Sequence, residues 1–308
     1  IDPLQKMGAK ISATNKENPP LKISPSAGLK GISYKMPIAS AQVKSAILLA
    51  GLNAEGKTQV QEKYPTRDHT ERMMKTFEAN ISFSKGIVEI EKSDLKTPGQ
   101  IEVPGDFSSA AFFIGACLIS EDSEIKIKNV GINKTRKAFL DCLLDMNANI
   151  DLTNIRQLGN EEVADLVIKS SDLLPAKIME DIVPNLIDEL PLFFLIASLI
   201  EGESEFVGLS ELKHKESDRL SIMINNLQKL DVEVQLNEDS LKIIGKKDRI
   251  FSDGVFDSHG DHRIAMTMLV AGLRSSEGLI VKNVDCINTS FPEFIDQAKM
   301  LGFNFKNG

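Results

Sequence analysis

The 308 residues carry 36 Lys and Arg against 44 Asp and Glu, a formal net charge of −8, and 42% of them are hydrophobic. That is enough apolar content for one large core or two ordinary ones, and the acid excess argues against nucleic-acid or anionic-membrane partners, which reward clustered basic surface. No stretch approaches the roughly 18 uncharged apolar residues of a membrane span, and three cysteines without CxxC spacing, Cys117 and Cys142 of them inside apolar runs, fit a reducing, cytoplasmic setting.

The chain opens on IDPLQKMGAKISA, residues 1–13, an amphipathic helical run with an exit strand. From Ser40, SAQVKSAILLAGLNAEGKTQV predicts a polar helix start, an apolar helical run, a polar turn and a β-rich stretch. TRDHTER, residues 66–72, then leads into a second, more amphipathic helix ending in MMKTFEANISF. TPGQIEVPGD, residues 97–106, is punctuated by Pro and Gly and is the best boundary candidate. Beyond it the same two plans recur as SSAAFFIGACLISEDSEIKIKNV with FLDCLLDMNANIDL, DELPLFFLIASLIEGESEFVGL with INNLQKLDVEVQL, and DHRIAMTMLVAGLRSSEGLIVKNV with FIDQAKMLGFNF. Taking Ala41, Ser108, Glu189 and His262 as equivalent anchors gives spacings of 67, 81 and 73 residues, the size of a βαβαββ unit. The first helix type, apolar nearly all round, is expected to be buried among neighbours, and the second to keep a wet face. Residues 1–13 match only the second half of a unit, so a fragment, or a chain whose start is encoded elsewhere, is expected.

All four histidines lie in charge clusters that contain arginine: His69 in TRDHTER, His214 in KHKESDR, and His259 and His262 in HGDHR. Metal sites gather His, Cys, Asp and Glu and exclude cations, so these clusters suit carboxylates and phosphates, and no metal is expected. HGDHR precedes a buried helix and places Arg263 in its first turn, where free N–H groups and the helix dipole favour an anion. The alternative is that Asp257 or Asp261 neutralises Arg263 within a plain helix cap. His262 reads as a hydrogen-bonded positioning group.

In KHKESDR, residues 213–219, Lys215 and Arg219 stand at i and i+4; if helical, they share a face that clamps an anion, with Glu216 as proton donor or acceptor, and otherwise the run is a solvated helix start. Asp188 and Glu189 open an uncharged run in IDELPLFFLIASL, either as ordinary caps or with one of them a general base whose pKa desolvation raises. Ser40 and Gln42 of SAQVKSA offer neutral hydrogen bonds or a cap. TRDHTER adds Arg67 after a capping-box-like Thr66, and its Arg72 is spaced to pair with Asp68. Asp106, Ser108 and Ser109 of PGDFSSAAFF come without a cation and read as a structural helix start. No Gly-rich loop runs into Lys-Ser/Thr, so a nucleotide P-loop is unsupported.

Taken in order, ENPPLKI, PIASAQVKSAILLAGL, TRDHTERM, VPGDFSSAAFF, IDELP, KHKESDR, GDHRIAM and TSFPEF closely resemble the 5-enolpyruvylshikimate-3-phosphate synthase family over essentially the whole chain. The resemblance implies an α/β enolpyruvyl transferase fold of two domains. Each would be built of three βαβαββ units about a pseudo-threefold axis and close on substrate in the cleft between them. Residues 1–102 would be one and a half units of the N-terminal domain, and 103–308 the C-terminal domain. It further implies transfer of the enolpyruvyl group of phosphoenolpyruvate to the 5-hydroxyl of shikimate 3-phosphate, releasing phosphate without metal or organic cofactor, in a cytoplasmic monomer. Carried over motif by motif, Ser40, Ala41 and Gln42 would contact shikimate 3-phosphate with Arg67 nearby. Asp188 would accept the hydroxyl proton, Lys215 with Glu216 would handle proton transfer at the phosphoenolpyruvate carbons, and Arg219 and Arg263 would hold phosphoenolpyruvate, its carboxylate above all.

Thr289 where one branch has lysine, His69 where it has tyrosine, and Ala41 are similar to the second branch of the family. The family's N-terminal Lys-Ser segment, its Asn-Ala-Gly-Thr loop and an arginine shortly before the position of Ile1 are not in this sequence, so the chain by itself is expected to be inactive or nearly so. Two rival readings are a sister enzyme acting on UDP-N-acetylglucosamine, against which KESDR and GDHR speak, and a non-catalytic anion-binding remnant, against which the retained Asp188, Lys215 and Glu216 speak.

Overall fold

Where the sequence alternates apolar helical runs with β-rich stretches, the computed structural model has helices and strands in that order over its described residues, 1–14 and 18–306. Glu17, the first residue of ENPPLKI, lies outside them. The chain divides into two units, Ile1–Val103 with Gln157–Glu161, and Pro104–Arg156 with Glu162–Gly308. Buried apolar side chains form one cluster between Met7 and Ile90 and another between Phe107 and Ala298, so each unit has its own core.

The first unit contains α1 (Asp2–Lys6), β1 (Lys10–Thr14), β2 (Asn18–Ser24), β3 (Leu29–Lys30), β4 (Ser33–Lys35), α2 (Ala41–Gly51), β5 (Ala54–Glu55), β6 (Thr58–Gln61), α3 (His69–Thr76), β7 (Ile81–Ser84) and β8 (Ile87–Ile90). Strands β4, β6, β8 and β7 form one sheet in that order, with β4 parallel to β6 across helix α2 and the other pairs antiparallel. Helix α2 departs from the expectation of burial all round. It packs against α1, β3, β5 and β6 through a stripe of Lys44, Ile47, Leu48 and Gly51, and Leu49 on its other side is exposed.

One member of that stripe is charged. The Lys44 ammonium lies 3.1 Å from Glu62 Oε2 and 2.7 Å from Glu71 Oε1, and donates to the Thr66 carbonyl at 3.4 Å. Glu62 also accepts bonds from the Thr66 amide and hydroxyl. The segment that carries Arg67 is therefore tied at both ends to a buried cation. The N-cap of α3 is Asp68, not Thr66, and Arg72 pairs with Asp68 at 2.8 Å.

The second unit contains α4 (Phe107–Ile119), β9 (Glu124–Gly131), α5 (Ala138–Asp145), β10 (Ile150–Leu158), β11 (Glu161–Lys169), β12 (Lys177–Ile178), α6 (Val183–Leu186), α7 (Leu190–Ser198), β13 (Gly202–Val207), α8 (Arg219–Lys229), β14 (Glu233–Asn237), β15 (Ser240–Gly245), β16 (Gly254–Asp257), α9 (His262–Ala271), β17 (Leu279–Lys282) and α10 (Phe294–Met300). Its sheets run β10-β11-β9, β12-β13-β15-β14 and β16-β17. Helices α4, α7 and α9, the apolar type, touch one another pairwise, and every residue of α7 is buried. Phe193 on α7 meets Phe139 and Phe206 edge to face at 5.4 and 5.2 Å. Each such ring contributes about 1.5–3 kcal/mol by burial alone. Gly245, ending β15, lies so close to the end of α7 that a Cβ there would meet the Ile200 and Ala197 carbonyls at 2.1 and 2.2 Å.

The signature shared by the second helix type is a Schellman C-cap. Helices α1, α3, α5, α8 and α10 exit through Gly8, Glu78, Asn147, Asp231 and Gly302, all at positive φ. In each, the next residue's amide returns to the carbonyl five residues back: Ala9 to Leu4, Ala79 to Met74, Ala148 to Leu143, Val232 to Leu227 and Phe303 to Ala298, at 2.9–3.1 Å. The apolar residue on either side of that bond is the hydrophobic contact that accompanies the motif.

Burial raises the pKa of Glu71 although Lys44 works against the rise. Lys44→Met is therefore expected to leave two buried carboxylates uncompensated and to cost about 3–5 kcal/mol of unfolding free energy. Raised carboxylate pKa values favour the folded state below the unfolded value and lose that advantage as pH climbs. The deficit should thus be larger at pH 8 than at pH 5 in urea melts; a deficit equal at both, or none, contradicts the role given to Lys44.

Candidate functional site

The N-terminal ends of helices carry free amides and a positive dipole end, and in the second unit several of them come together with buried charge. Asp188 and Glu189 lie in the turn between α6 and α7, 9% and 2% exposed, and Glu189 occupies the N-cap position of α7 without capping it. Ser108 is in the first turn of α4, whose N-cap Asp106 accepts from the Ser109 amide at 2.8 Å and its hydroxyl at 2.9 Å. Arg219 begins α8, and Arg263 lies in the first turn of α9.

Three guanidinium groups surround the Asp188 carboxylate. Arg219 Nη1 is 3.4 Å from Oδ1; Arg136 Nη1 and Arg263 Nη2 are 3.5 and 3.6 Å from Oδ2. Arg263 also donates to the Asp188 carbonyl at 3.0 Å and lies 3.8 Å from Glu189 Oε1. Arg219, fully buried, is held most firmly elsewhere: its Nε is 2.8 Å from Asp261 Oδ2, and its Nη2 bonds Glu216. Asp261 in turn caps α9 by accepting from the Arg263 and Ile264 amides at 2.9 and 3.4 Å, and takes the Ser217 hydroxyl at 3.0 Å. Asp261 is thus the partner of Arg219, while the carboxylates near the Arg263 guanidinium are Asp188 and Glu189. Asp257 is engaged by the His259 amide and the Asn283 side chain, both at 2.7 Å.

The electrostatics follow from burial and these pairings. Burial drives the Glu189 pKa up despite Arg136 and Arg263. At Asp261 burial pushes the same way, but Arg219 outweighs it and the carboxyl lies below its ordinary value. His262 is lowered by burial and then by the Arg263 charge, which keeps the imidazole neutral at neutral pH.

Of the two readings of KHKESDR, the continuous helix is the one that does not form: Ser210–His214 is a 3₁₀ turn, Lys215 ends it in extended backbone, and α8 starts only at Arg219 behind its N-cap Asp218. Two consecutive polar residues, Ser217 and Asp218, are used as hydrogen-bonding groups at the helix start, which breaks the i, i+4 relation assumed for Lys215 and Arg219. Lys215 makes no hydrogen bond or ion pair among the described residues, and Glu216 reaches Arg219 from a half-exposed position. The structure therefore brings together Asp188, Glu216, Arg219 and Arg263. In the first unit, Ser40 caps α2 by accepting from the Val43 amide at 3.3 Å and bonds Gln42 at 3.4 Å, Ala41 begins the helix, and Arg67 lies in the segment tied to Lys44.

Sequence reasoning missed Arg136 and gave Ser108 only a capping role. The repeat held the signal: Arg67 and Arg136 each follow a threonine and stand 69 residues apart, as do the positive-φ residues Glu78 and Asn147. Among the described residues no group of three or more His, Cys, Asp or Glu side chains is arranged to hold a metal ion, and no helix is long and apolar enough to cross a membrane.

The family model for EPSP synthase (3-phosphoshikimate 1-carboxyvinyltransferase) matches residues 1–298. A 3-phosphoshikimate 1-carboxyvinyltransferase of Clostridium tetani (strain Massachusetts / E88) is 44% identical over 299 residues, covering 97% of this chain and 68% of that protein. One of Alkalilimnicola ehrlichii is 43% identical over 308 residues, covering 100% and 69%. Among solved structures, EPSP synthase from Acinetobacter baumannii superposes with a TM-score of 0.87 at 41% identity, over 98% of this chain and 70% of that one. The enolpyruvyl transferase NikO from Streptomyces tendae reaches 0.78 at 16% identity over the same shares, which speaks to the fold alone. The α/β enolpyruvyl transferase fold implied by the eight motifs is therefore the fold of this chain, and with a match of this extent the chain belongs to the EPSP synthase (3-phosphoshikimate 1-carboxyvinyltransferase) family.

Proposed function

We propose that this chain carries enolpyruvyl transfer from phosphoenolpyruvate to the 5-hydroxyl of shikimate 3-phosphate, with release of phosphate. The observation that supports it best is the meeting of Arg219, Arg263 and the Asp188 carboxylate at helix starts, where two anionic substrates would find donors beside a proton acceptor. In this reading Arg263 is the principal carboxylate ligand of phosphoenolpyruvate. Its contacts to Asp188 and Glu189 side chains are long, 3.6 and 3.8 Å, and exchange readily for a substrate anion. Arg219 contributes its Nη groups while its Nε stays on Asp261. Asp188 takes the hydroxyl proton, and Lys215 with Glu216 serves proton transfer at the phosphoenolpyruvate carbons. On the first unit, Ser40, Ala41, Gln42 and Arg67 are the proposed contacts to shikimate 3-phosphate.

The acceptor is tested by melting the chain with candidate ligands and by following phosphate release. Shikimate 3-phosphate with phosphoenolpyruvate should raise the melting temperature and UDP-N-acetylglucosamine should not; stabilisation by the UDP-sugar alone contradicts the assignment. Arg263→Met should weaken phosphoenolpyruvate binding by about 10- to 100-fold in calorimetry, the loss of a charge-assisted pair. An unchanged Kd removes Arg263 from the site. Asp188→Asn, by contrast, removes a competitor for the arginines and should bind phosphoenolpyruvate at least as well as the native chain, while phosphate release, followed with the family's N-terminal segments restored ahead of Ile1, falls by about 10²- to 10⁴-fold. Undiminished release would take Asp188 out of the reaction.

A further inference from the structure

Of the charged groups around Asp188, Arg136 and Glu189 have no place in the anion-holding set. Arg136 is delivered by a loop that fixes its backbone before α5 begins. The buried Asn133 side chain accepts from the Thr135 amide and hydroxyl at 2.8 and 2.9 Å, and its carbonyl accepts the Arg136 amide at 2.8 Å. The Arg136 guanidinium, on a residue 8% exposed, then bonds the Ser108 hydroxyl on α4 and lies 3.5 Å from both Asp188 Oδ2 and Glu189 Oε1. Ser108 closes the triangle by donating to Glu189 Oε1.

This arrangement has a consequence during substrate binding. When Arg263 and Arg219 turn to an anion, Asp188 loses two of its three cationic neighbours. Arg136 stays, because the Ser108 hydroxyl and the Glu189 carboxylate hold it as well. Glu189 supplies the balance. Three guanidinium groups alone would make Asp188 a poor proton acceptor, and the Glu189 carboxylate offsets them from 3.5 and 3.8 Å. Its charge is held at some expense: burial disfavours it, and Oε2 has no hydrogen-bond partner among the described residues. The Arg136 and Arg263 guanidinium groups at 3.5 and 3.8 Å favour the ionised carboxylate against that burial.

We propose that Arg136 and Glu189 form a charge-balanced clamp that positions the Asp188 carboxylate and sets its proton affinity without contacting substrate. The clamp rests on the enolpyruvyl-transfer reading only for what Asp188 does with its proton. The groups facing Asp188 include Arg136 from the loop before α5, Arg219 from α8, Arg263 from α9 and Glu189 from its own turn. Arg219 is further balanced by Asp261 and Glu216, and Arg136 by Asp106.

The test is a carboxyl ¹³C NMR titration of the 308-residue chain labelled at aspartate, with Asp188 assigned by the signal lost in Asp188→Asn. Removing the cation in Arg136→Met should raise the Asp188 midpoint by about one pH unit, and removing the anion in Glu189→Gln should lower it by about as much. The double variant should return close to the native midpoint, and phosphoenolpyruvate affinity should stay within about threefold in all three. Arg136→Lys, which keeps the charge but not the fork, guards against a folding failure of the methionine variant and should raise the midpoint by less. Shifts of equal sign, or no shift in either single variant, overturn the clamp. So does a Glu189→Gln chain that loses stability while its Asp188 midpoint stays in place, since Glu189 would then be a structural brace. The titration requires no turnover: its failure leaves enolpyruvyl transfer standing, and absence of acceptor-dependent phosphate release leaves the clamp standing.

Discussion

The second unit is organised around one carboxylate held among three guanidinium groups where helices begin. Helices α4, α7 and α9 bury nearly all their side chains against one another, so their starts are where polar groups meet the core. Free amides and dipoles already make such a place positive, and Arg136, Arg219 and Arg263 add to it. Asp188, Glu189 and Asp261 offset that charge within the protein. In the proposed reading an incoming anion does not find bare cations; it exchanges with resident carboxylates. Arg219 to Asp261 is 2.8 Å between fully buried partners, whereas the Arg219 and Arg263 contacts to the Asp188 and Glu189 side chains are 3.4–3.8 Å and are the ones proposed to exchange.

A cluster of this kind gives little net stability. Desolvating several ions offsets most of their mutual attraction, and an apolar replacement of the whole set would hold the helices together as well or better. Its retention argues for the geometry it imposes. The first unit uses the same device on a smaller scale, since buried Lys44 binds Glu62 and Glu71 and so fixes the segment that bears Arg67. Arg67 and Arg136 hold equivalent places in the repeat, each ahead of an amphipathic helix that closes with the same Schellman cap. Arg67 is the one proposed as a ligand group, whereas Arg136 lies beside the Asp188 and Glu189 carboxylates.

Much of this was legible in the sequence. Apolar runs separated by β-rich stretches marked α2, α4, α7 and α9, and the endings TFEANI, DMNANI and KLDVEV marked the second helices, because the left-handed cap demands a residue that tolerates positive φ next to an apolar one. HGDHR and IDELP announced charge at the mouth of a buried helix. What could not be read was which charge meets which. Asp261 stands two residues before Arg263 yet its carboxylate pairs with Arg219, 42 residues away, and Glu189 looks like a cap but faces inward to Arg136 and Ser108. KHKESDR has a plausible helical spacing that the hydrogen bonds of Ser217 and Asp218 override. Arg136 lies in a stretch whose composition advertises only an amphipathic helix. Local pattern set the elements; partners separated along the chain set the chemistry.

The central claim is that the resident carboxylates stand where substrate anions exchange while Asp188 keeps its place. A crystal structure of the chain with phosphoenolpyruvate and shikimate 3-phosphate tests it most directly. The account predicts the phosphoenolpyruvate carboxylate on the Arg263 guanidinium, Arg263 withdrawn from the Asp188 carbonyl, and Arg136 still beside Asp188 Oδ2. Substrate bound with Arg263 unmoved from that carbonyl, or Arg136 itself turned onto the anion, would contradict it.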